Sequence, residues 1–526
     1  MVSPFVRTVG TGSGARAVQI VWSKKGGRRD IEHVGSAHGD GELAALKGAA
    51  WQIIRRGQGE LDVGLAAPER RLRIAATRSR HLWWALRTAF AALGFDAAVP
   101  DEVFEKLVLS RIVEPTSKLD SIRVLGELGV AALSYSTIKR RLREVVGRGW
   151  RGALEKACAA YAGASDLRFC LYDVSTLHWE THQGDGFREP GFSKQRRLEP
   201  QVVVGLLTTS AGFPLAVEAF EGTKAEVKTI VPVIEAYSKT HGVQGVTVVA
   251  DAGMVSEANM RALQDAKLSF IVGYPIPREP WVVAAWRKKH PGKDLPDHKT
   301  FAQPTDIGTK AEPRNAVVYY QYRAKRAARD LRGIDKQVAK ARRAVSGEQP
   351  VKKNRFLRIT DAQVTINQEL IADARARAGL RAYITDLPYQ PGPDQAPVPL
   401  GDPKAEIKRL LGHAPHVISS YHELWHIEHA FRVSKHDLAA RPAFHRLKDS
   451  IEAHLTIVFA SLAVSQWIET TTGWSIRRFV RTLRPIREVD VVVGGHIVVA
   501  EDDVPLDAQR ALGAVETAAR KKGALI

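Results

Sequence analysis

Cysteine is almost absent from this chain, which has only Cys158 and Cys170 among its 526 residues. Two cysteines exclude a disulfide framework and a cysteine-based zinc finger, and they are typical of a protein that works in a reducing compartment. The stretch from Met1 to Gly10 has no apolar segment, so we expect no signal peptide. No run of about 18 uncharged apolar residues occurs, so we also expect no membrane partner and a cytoplasmic location.

Acidic residues are too few to balance the basic ones. The chain contains 77 Lys and Arg against 57 Asp and Glu, which gives a formal net charge of +20. A basic proteome or a need for solubility would explain some excess, but clustered Lys and Arg also neutralise phosphates and release counterions. We therefore expect nucleic acid as the partner. The length is too great for one hydrophobic core and predicts about three domains.

The N-terminal part of the chain has two different patterns of apolar residues. Residues 1–65 alternate apolar and polar positions between turns, which predicts a small β-containing unit with a basic turn at Lys24–Arg29. Residues 66–165 have helical spacing and predict a mainly helical domain. We expect this second domain to bind DNA.

The most basic helix of the second domain follows Ser134, a residue type that favours helix N-termini. Ile138, Leu142 and Val145 recur at helical spacing and define an apolar face. The other faces carry basic residues, among them Lys139, Arg140 and Arg141. The pattern predicts a recognition helix with these residues on DNA phosphates, or else an ordinary amphipathic helix with a solvated basic face. The net charge of the chain favours the recognition helix.

From residue 166 onward apolar strands alternate with helices. The strand candidates up to residue 274 are Leu167–Asp173, Gln201–Thr208, Gly212–Phe220, Val246–Asp251 and Leu268–Tyr274. Hairpins followed by a β-α-β unit predict an α/β core with a mixed sheet. Residues 275–378 read as a basic insertion domain, residues 379–470 as the second part of the core, and residues 471–526 as a C-terminal region.

Two of these strands end on an acidic residue, Asp173 and Asp251. The strands would be neighbours in one sheet, and Glu428 lies on a later helix that could cross their ends. Three carboxylates held together repel one another unless cations neutralise them, so the set predicts a site for Mg²⁺. With two ions such a site fits in-line phosphoryl transfer.

Glu428 belongs to a stretch that has two competing interpretations. On one continuous helix, Tyr421, Glu428 and Lys435 are separated by steps of seven residues and lie on one stripe. A carboxylate between a phenol and an ammonium group is suited to holding something charged.

The same stretch contains the zinc-protease pattern H-E-x-x-H, formed by His422, Glu423 and His426. In this interpretation the two histidines bind zinc and Glu423 is the general base of a hydrolase. A third ligand is required, and Glu452 and His454 are available downstream. The pattern fixes only three positions, so chance matches are frequent.

The acidic motifs occur in an order that resembles a known family. Tyr172-Asp173, Ala250-Asp251-Ala-Gly253 and Tyr421…Glu428…Lys435 are similar to motifs of the DDE transposases of bacterial insertion sequences, in the group with a Tyr-x2-Arg-x3-Glu-x6-Lys signature. Gly191-Phe-Ser-Lys194 and Gly212-Phe-Pro-Leu215 stand where such proteins have similar short motifs. The resemblance runs from about residue 80 to residue 470.

This resemblance implies a ribonuclease-H-like mixed-sheet catalytic core with a β-containing insertion, preceded by a mainly helical DNA-binding region. It implies that Asp173, Asp251 and Glu428 form a catalytic triad that binds two Mg²⁺ ions, with Mn²⁺ able to substitute. It also implies cut-and-paste transposition at the bacterial nucleoid, with terminal inverted repeats and target double-stranded DNA as partners and a homodimer in the DNA complex.

The resemblance further implies that Lys435 holds a phosphate near the transposon end and that Tyr421 contacts a phosphate or the end DNA. The signature arginine falls on Leu424, which cannot bind phosphate. Arg432, one turn after Glu428, could supply the missing charge. Two alternatives to a transposase are the zinc hydrolase and a non-catalytic DNA-binding regulator, and the regulator leaves the three acids without a role.

Overall fold

The computed structural model describes residues 4–11, 14–23, 29–55, 73–131, 133–163, 166–178, 184–191, 199–254, 256–309, 311–350, 354–360, 363–388, 403–440, 447–493 and 496–523. Two compact units make up the chain. Unit 1 comprises Met1–Tyr161 and Arg432–Ile526, and unit 2 comprises Ala162–Phe431.

The strands, in chain order, are β1 (Phe5–Gly10), β2 (Arg16–Ser23), β3 (Arg29–Ala37), β4 (Arg73–Arg78), β5 (Phe169–His178), β6 (Gln201–Thr209), β7 (Pro214–Glu221), β8 (Thr247–Ala250), β9 (Ser269–Tyr274), β10 (Thr300–Asp306), β11 (Asn315–Tyr322), β12 (Leu357–Ile359), β13 (Val364–Ile366), β14 (Leu380–Thr385), β15 (Glu488–Val493) and β16 (His496–Glu501).

The helices are α1 (Asp40–Arg55), α2 (Arg80–Ala92), α3 (Phe95–Ala98), α4 (Glu102–Val113), α5 (Asp120–Glu127), α6 (Tyr135–Gly147), α7 (Trp150–Ala162), α8 (Ile230–His241), α9 (Glu257–Asp265), α10 (Trp281–Lys289), α11 (Ala324–Val345), α12 (Gln368–Ala376), α13 (Pro403–His422), α14 (Leu424–Arg432), α15 (Lys448–Thr472), α16 (Ile476–Leu483) and α17 (Leu506–Lys521).

Unit 1 begins with the small sheet that the alternating pattern predicts. Strands β1, β2 and β3 form an antiparallel sheet in that order. Its inward residues Val18 and Ile20 pack with Leu43 and Ile54 of α1 in one apolar cluster. The basic turn predicted at Lys24–Arg29 falls largely on residues 24–28, which lie outside the described part of the chain.

The remainder of unit 1 is built around α15. This helix is apolar on nearly all sides, which is typical of a helix inside a core. It packs against α2, α4, α6 and α17. By length and composition it could cross a membrane, but 89% of its apolar window is buried inside the protein, as in a core helix.

The second part of the catalytic core was predicted to run to residue 470, past the division between the two units. The division between the units falls at Arg432, and α15 belongs to unit 1. The physical reason is that the apolar faces of α4 and α6 have their packing partner in α15, a helix far away in the sequence. Periodicity along the chain identifies an apolar helix and does not identify its partner.

Unit 2 contains a mixed sheet of eight strands in the order β10-β11-β14-β9-β8-β5-β6-β7. Strands β5, β6 and β7 form an antiparallel meander, and β8 and β9 run parallel to β5. Every residue of β6 is buried, which fits its run of β-branched residues. The α/β class and the mixed sheet are confirmed.

The predicted insertion is only partly a separate body. Strand β11 pairs with β14 and β10 pairs with β11, so both extend the main sheet. The helix α11 is amphipathic and buries Ile334, Val338 and Ala341. These residues form a small cluster of their own with Phe356 and Ile371. The β content of the insertion therefore continues the core sheet, while α11 and α12 cover a satellite core.

Candidate active site

The parallel pairing of β5 with β8 brings two predicted acids close together. The prediction that the first strand ends at Asp173 is wrong, because β5 continues to His178, whereas Asp251 directly follows β8. Leu171 is in register with Val249, so Asp173 and Asp251, each two residues further on, occupy equivalent positions. Neighbouring strands lie about 4.8 Å apart, which makes these aspartates neighbours. Each carboxylate is oriented by the next backbone N–H, since Oδ1 of Asp173 accepts from Val174 and Oδ1 of Asp251 accepts from Ala252, both at 2.8 Å.

Asp251 has a side-chain partner that the seven-residue spacing did not predict. The hydroxyl of Tyr421, in the last turn of α13, donates to Oδ1 of Asp251 at 2.8 Å. Tyr421 is buried, and its ring lies edge-on to Tyr383 with the ring centres 4.8 Å apart. Burial and the nearby Asp251 carboxylate raise the pKa of Tyr421, so its hydroxyl is kept as a donor.

Gly273, on the neighbouring strand β9, leaves room for this hydroxyl. A Cβ atom at this position would lie 2.7 Å from Oη of Tyr421 and 3.0 Å from Cβ of Ala252. A glycine inside a strand often marks a close approach of another group. That signal was present in the strand Leu268–Tyr274 and could have located this contact.

A cavity of about 290 Å³ opens beside Asp251 and Tyr421. Its lining includes three arginines from different elements, Arg326 of α11, Arg377 just after α12 and Arg381 of β14. The guanidinium of Arg381 lies 5.3 Å from the centre of the Tyr421 ring. None of these arginines was among the residues predicted for the site.

Glu428 is not part of this cluster. It is exposed on α14, whose buried face is formed by Leu424, Ile427, Ala430 and Phe431. Among the described residues, no three Asp, Glu, His or Cys side chains form a group that could hold a metal ion. The sheet therefore brings together two of the three predicted carboxylates, and the side chains as they stand do not fit a three-carboxylate metal site.

The stretch that contains Glu428 is not the single helix of the prediction. Helix α13 ends at His422, α14 begins at Leu424, and a turn of π-helix covers Val433–Asp437. The break and the wider π-turn shift the helical phase, so the expected stripe of Tyr421, Glu428 and Lys435 does not form.

The same break affects the H-E-x-x-H pattern, because its two histidines lie on different helices. Nε2 of His426 is 3.1 Å from Oε2 of Glu423, and its ring lies 3.7 Å from that of Trp425. His422 contacts the rings of Tyr383 and Tyr421. Downstream, Glu452 forms an ion pair with Arg151. No metal-holding group is found here in the described part of the chain.

The helix predicted to recognise DNA is present as α6. Ser134 caps it by accepting the N–H of Thr137 at 3.1 Å, and Ile138, Leu142 and Val145 are its buried residues. Lys139 and Arg140 are exposed.

Arg141 of α6 has a different environment from its two basic neighbours. It forms ion pairs with Asp101 at 3.0 Å and Glu144 at 2.8 Å. The assignment of Arg141 to DNA phosphates therefore competes with a structural role within unit 1. Arg432 is exposed at the end of α14, and Lys435 is half-buried in the π-turn.

Comparisons with known proteins extend these observations. A family model described as the transposase DDE domain matches residues 164–464, more than half of the chain. No curated protein matches the chain. Among solved structures, the chain is similar to the piggyBac transposase in a cryo-EM structure of its synaptic complex with hairpin DNA, with 9% sequence identity, a TM-score of 0.35, and coverage of 77% of this chain and 70% of that chain.

Proposed function

Since the chain belongs to the transposase DDE domain family, we propose that this DNA transposase cuts and rejoins the ends of its own insertion sequence by cut-and-paste transposition. The observation that carries the proposal is the placement of Asp173 on β5 and of Asp251 directly after β8, the neighbouring parallel strand, inside the matched range. Two neighbouring carboxylates are suited to phosphoryl-transfer chemistry.

The sheet topology supports a ribonuclease-H-like core. The first five strands of unit 2 lie in the spatial order β9-β8-β5-β6-β7, with an antiparallel meander followed by two strands parallel to its first strand. This is the arrangement that we assign to the catalytic core. The strands β14, β11 and β10 then extend it on the side of β9.

We assign Asp173, Asp251 and Glu428 as the carboxylates that act with divalent ions, two Mg²⁺ with Mn²⁺ able to substitute. DDE transposases as a family use divalent metal ions. The assignment of Glu428 rests on its place in the sequence motif.

The DNA-binding assignments follow the same proposal. The exposed Lys139 and Arg140 of α6 and the exposed Arg432 are suited to phosphate contacts, and Lys435 is assigned to a phosphate near the transposon end. Terminal inverted repeats and target duplex are the proposed partners, bound by a homodimer in the bacterial cytoplasm at the nucleoid. Tyr421 is buried against Asp251, so its assigned DNA contact would be made beside the aspartate.

The proposal is tested with the purified chain and a labelled duplex that carries the inverted repeats flanking its coding region. We expect Mg²⁺-dependent cleavage by the wild type and loss of at least about a hundredfold in rate for Asp173→Asn, Asp251→Asn and Glu428→Gln. Glu423→Gln is the matched control and should cleave normally. Normal cleavage by all three acid variants would overturn the assignment.

The zinc-hydrolase alternative is tested by the same set of proteins. It predicts zinc that co-purifies with the chain and is lost in His426→Ala, and it predicts that Glu423→Gln is the inactive variant. The break between α13 and α14 separates the two histidines and disfavours this alternative. A non-catalytic regulator would bind the repeats and leave them uncut in every variant.

A further inference from the structure

The cavity beside Asp251 is not explained by the two aspartates alone. It is lined by Asp251, Tyr421 and three arginines, and its volume of about 290 Å³ is several times the roughly 30 Å³ that one water occupies in the liquid. A cavity of this size accommodates a group larger than an ordered water. Its chemistry is decided by the charges around it.

The three arginines differ in how far they are neutralised. Arg377 forms a salt bridge with Asp373 at 2.7 Å and donates to the carbonyl oxygen of Ile276 at 2.6 Å. Among the described residues, the carboxylate paired with Arg326 is the more distant one of Asp330, at 3.7 Å. Its Nε atom is buried and has no hydrogen-bond partner among the described residues.

Arg381 has no carboxylate within ion-pair distance in the described part of the chain. Its guanidinium lies over the Tyr421 ring and close to Tyr383. The pKa of His422, the residue after Tyr421, is lowered first by burial and then by the positive charges of Arg381 and Arg323. Among the residues that line the cavity, Asp251 contributes the one carboxylate against three guanidinium groups, so the lining itself is net positive.

We propose that Arg326 and Arg381 bind one phosphodiester group of the DNA backbone in this cavity, next to Asp251. The planar guanidinium group matches a phosphate through two parallel hydrogen bonds, and Arg binds such groups better than Lys for this reason. The inference rests on the proposed function, which supplies DNA as the ligand.

This site supplies the positive charge that the Tyr-Arg-Glu-Lys signature lacks at Leu424. Leu424 is on the buried face of α14, where a charged side chain would lose its hydration. Arg326 and Arg381 provide guanidinium groups from α11 and β14 instead. Arg381 is held on β14, which lies between β11 and β9, and its backbone is in register with Gln321 of β11.

The test uses the full-length chain and compares Arg326→Gln, Arg381→Gln and the double variant. Arg375→Gln is the matched control, because Arg375 lies two residues from Arg377, outside the cavity lining, and is already paired with Asp335 at 2.7 Å. Affinity for a fluorescent terminal-repeat duplex is measured by anisotropy over a range of salt concentrations. Rate of cleavage is measured on the same duplex.

We expect the double variant to bind about tenfold more weakly and to reduce the slope of log affinity against log salt by about 0.9, the effect of losing one phosphate contact. Arg381→Lys should keep most of the salt slope but cleave more slowly, since it retains the charge without the planar fork. The control should match the wild type in both measurements.

The outcomes separate this inference from the proposed function. If the wild type cleaves the repeats and the double variant keeps its affinity, salt slope and cleavage rate, the phosphate site is refuted and the transposase stands. If the wild type neither binds nor cleaves the repeats, the proposed function itself fails. Thermal unfolding of each variant shows whether it is folded. If the double variant is unfolded, the cleavage rate and salt slope of Arg381→Lys still test the site.

Discussion

Replacing Gly273 by alanine should disturb the hydrogen bond between Tyr421 and Asp251. Gly273 lies on β9, which makes no polar contact with either side chain in the described structure. The new Cβ would be 2.7 Å from Oη of Tyr421 and 3.2 Å from the backbone nitrogen of Ala252. Contacts below about 3.4 Å between such atoms are repulsive, so the hydroxyl must move away. The 2.8 Å hydrogen bond to Asp251 would then lengthen or break.

The expected change in the free energy of unfolding has three contributions, of which two destabilise the variant and one stabilises it. Overpacking of this kind costs about 1–3 kcal/mol. A hydrogen bond to a charged group contributes about 1.5–3 kcal/mol, toward the lower end here because Asp251 is exposed and water can replace the hydroxyl. Alanine in place of glycine also restricts the unfolded chain and returns about 0.4–1 kcal/mol. We expect Gly273→Ala to lower the free energy of unfolding of unit 2 by about 2 kcal/mol.

A double-mutant cycle with Tyr421→Phe isolates the proposed cause. The phenylalanine ring lacks the hydroxyl that the new methyl group meets, so Gly273→Ala should cost less in that background, where only the close contact with Ala252 remains. The coupling free energy should reach about 1–2 kcal/mol, as measured by urea unfolding monitored with a probe in unit 2. Gly333→Ala is the control, since a Cβ there meets nothing within 4 Å and α11 should gain up to about 1 kcal/mol. Additive effects in the cycle would refute the steric argument.

Gly205→Ala should lower stability by about 1–3 kcal/mol in thermal unfolding. Its Cβ would overlap the hydroxyl of the buried Tyr172 and lie 3.0 Å from Cζ of the same ring, so unchanged stability would contradict this packing. Arg141→Gln should lower the midpoint of thermal unfolding and leave DNA affinity nearly unchanged, because Arg141 is already paired with Asp101. Arg140→Gln should leave thermal unfolding unchanged and lower DNA affinity in anisotropy titrations; equal losses of affinity would restore Arg141 to the DNA contacts. Burial raises the pKa of Asp386 in the folded protein above its value in the unfolded chain. The buried carboxylate therefore lowers the free energy of unfolding as pH rises through the folded pKa, and this cost is absent below the unfolded pKa. Asp386→Asn should therefore stabilise unit 2 at neutral pH by an amount that disappears in acid; a gain that persists in acid would exclude ionisation as its cause.

The local patterns of the sequence were sufficient for the elements that carry the chemistry. The strand that contains Asp173 and the strand that precedes Asp251 were identified from apolar runs, and the structure places them side by side in parallel register. The buried face of α6 was identified at all three positions from helical spacing. In both cases the information is local, because periodicity of 2.0 or 3.6 residues needs only a short window.

The missed features depend on contacts between distant segments. The break between His422 and Leu424 has no proline or glycine to signal it, so a continuous helix was the natural expectation. Arg326 and Arg381 reach one cavity because β11 and β14 pair with each other, which no local pattern reports. Ion pairs such as that of Arg141 with Asp101 likewise join separate helices.

The discontinuous make-up of unit 1 has a consequence for how the protein is synthesised. Ser461 of α15 donates a hydrogen bond to the carbonyl oxygen of Val108, which was translated 353 residues earlier. At a translation rate of about 5–20 residues per second, α4 and its neighbours wait roughly 20–70 s for the helix that completes their core. Unit 2 is one uninterrupted segment and can fold on the ribosome during that interval.

Newly made chains should therefore pass through a stage with a folded unit 2 and exposed apolar helices from α2 to α6. Such surfaces are bound by chaperones or associate with one another. A chain that terminates before α15 would be left at that stage permanently, so premature termination would yield a protein that is prone to aggregation and degradation.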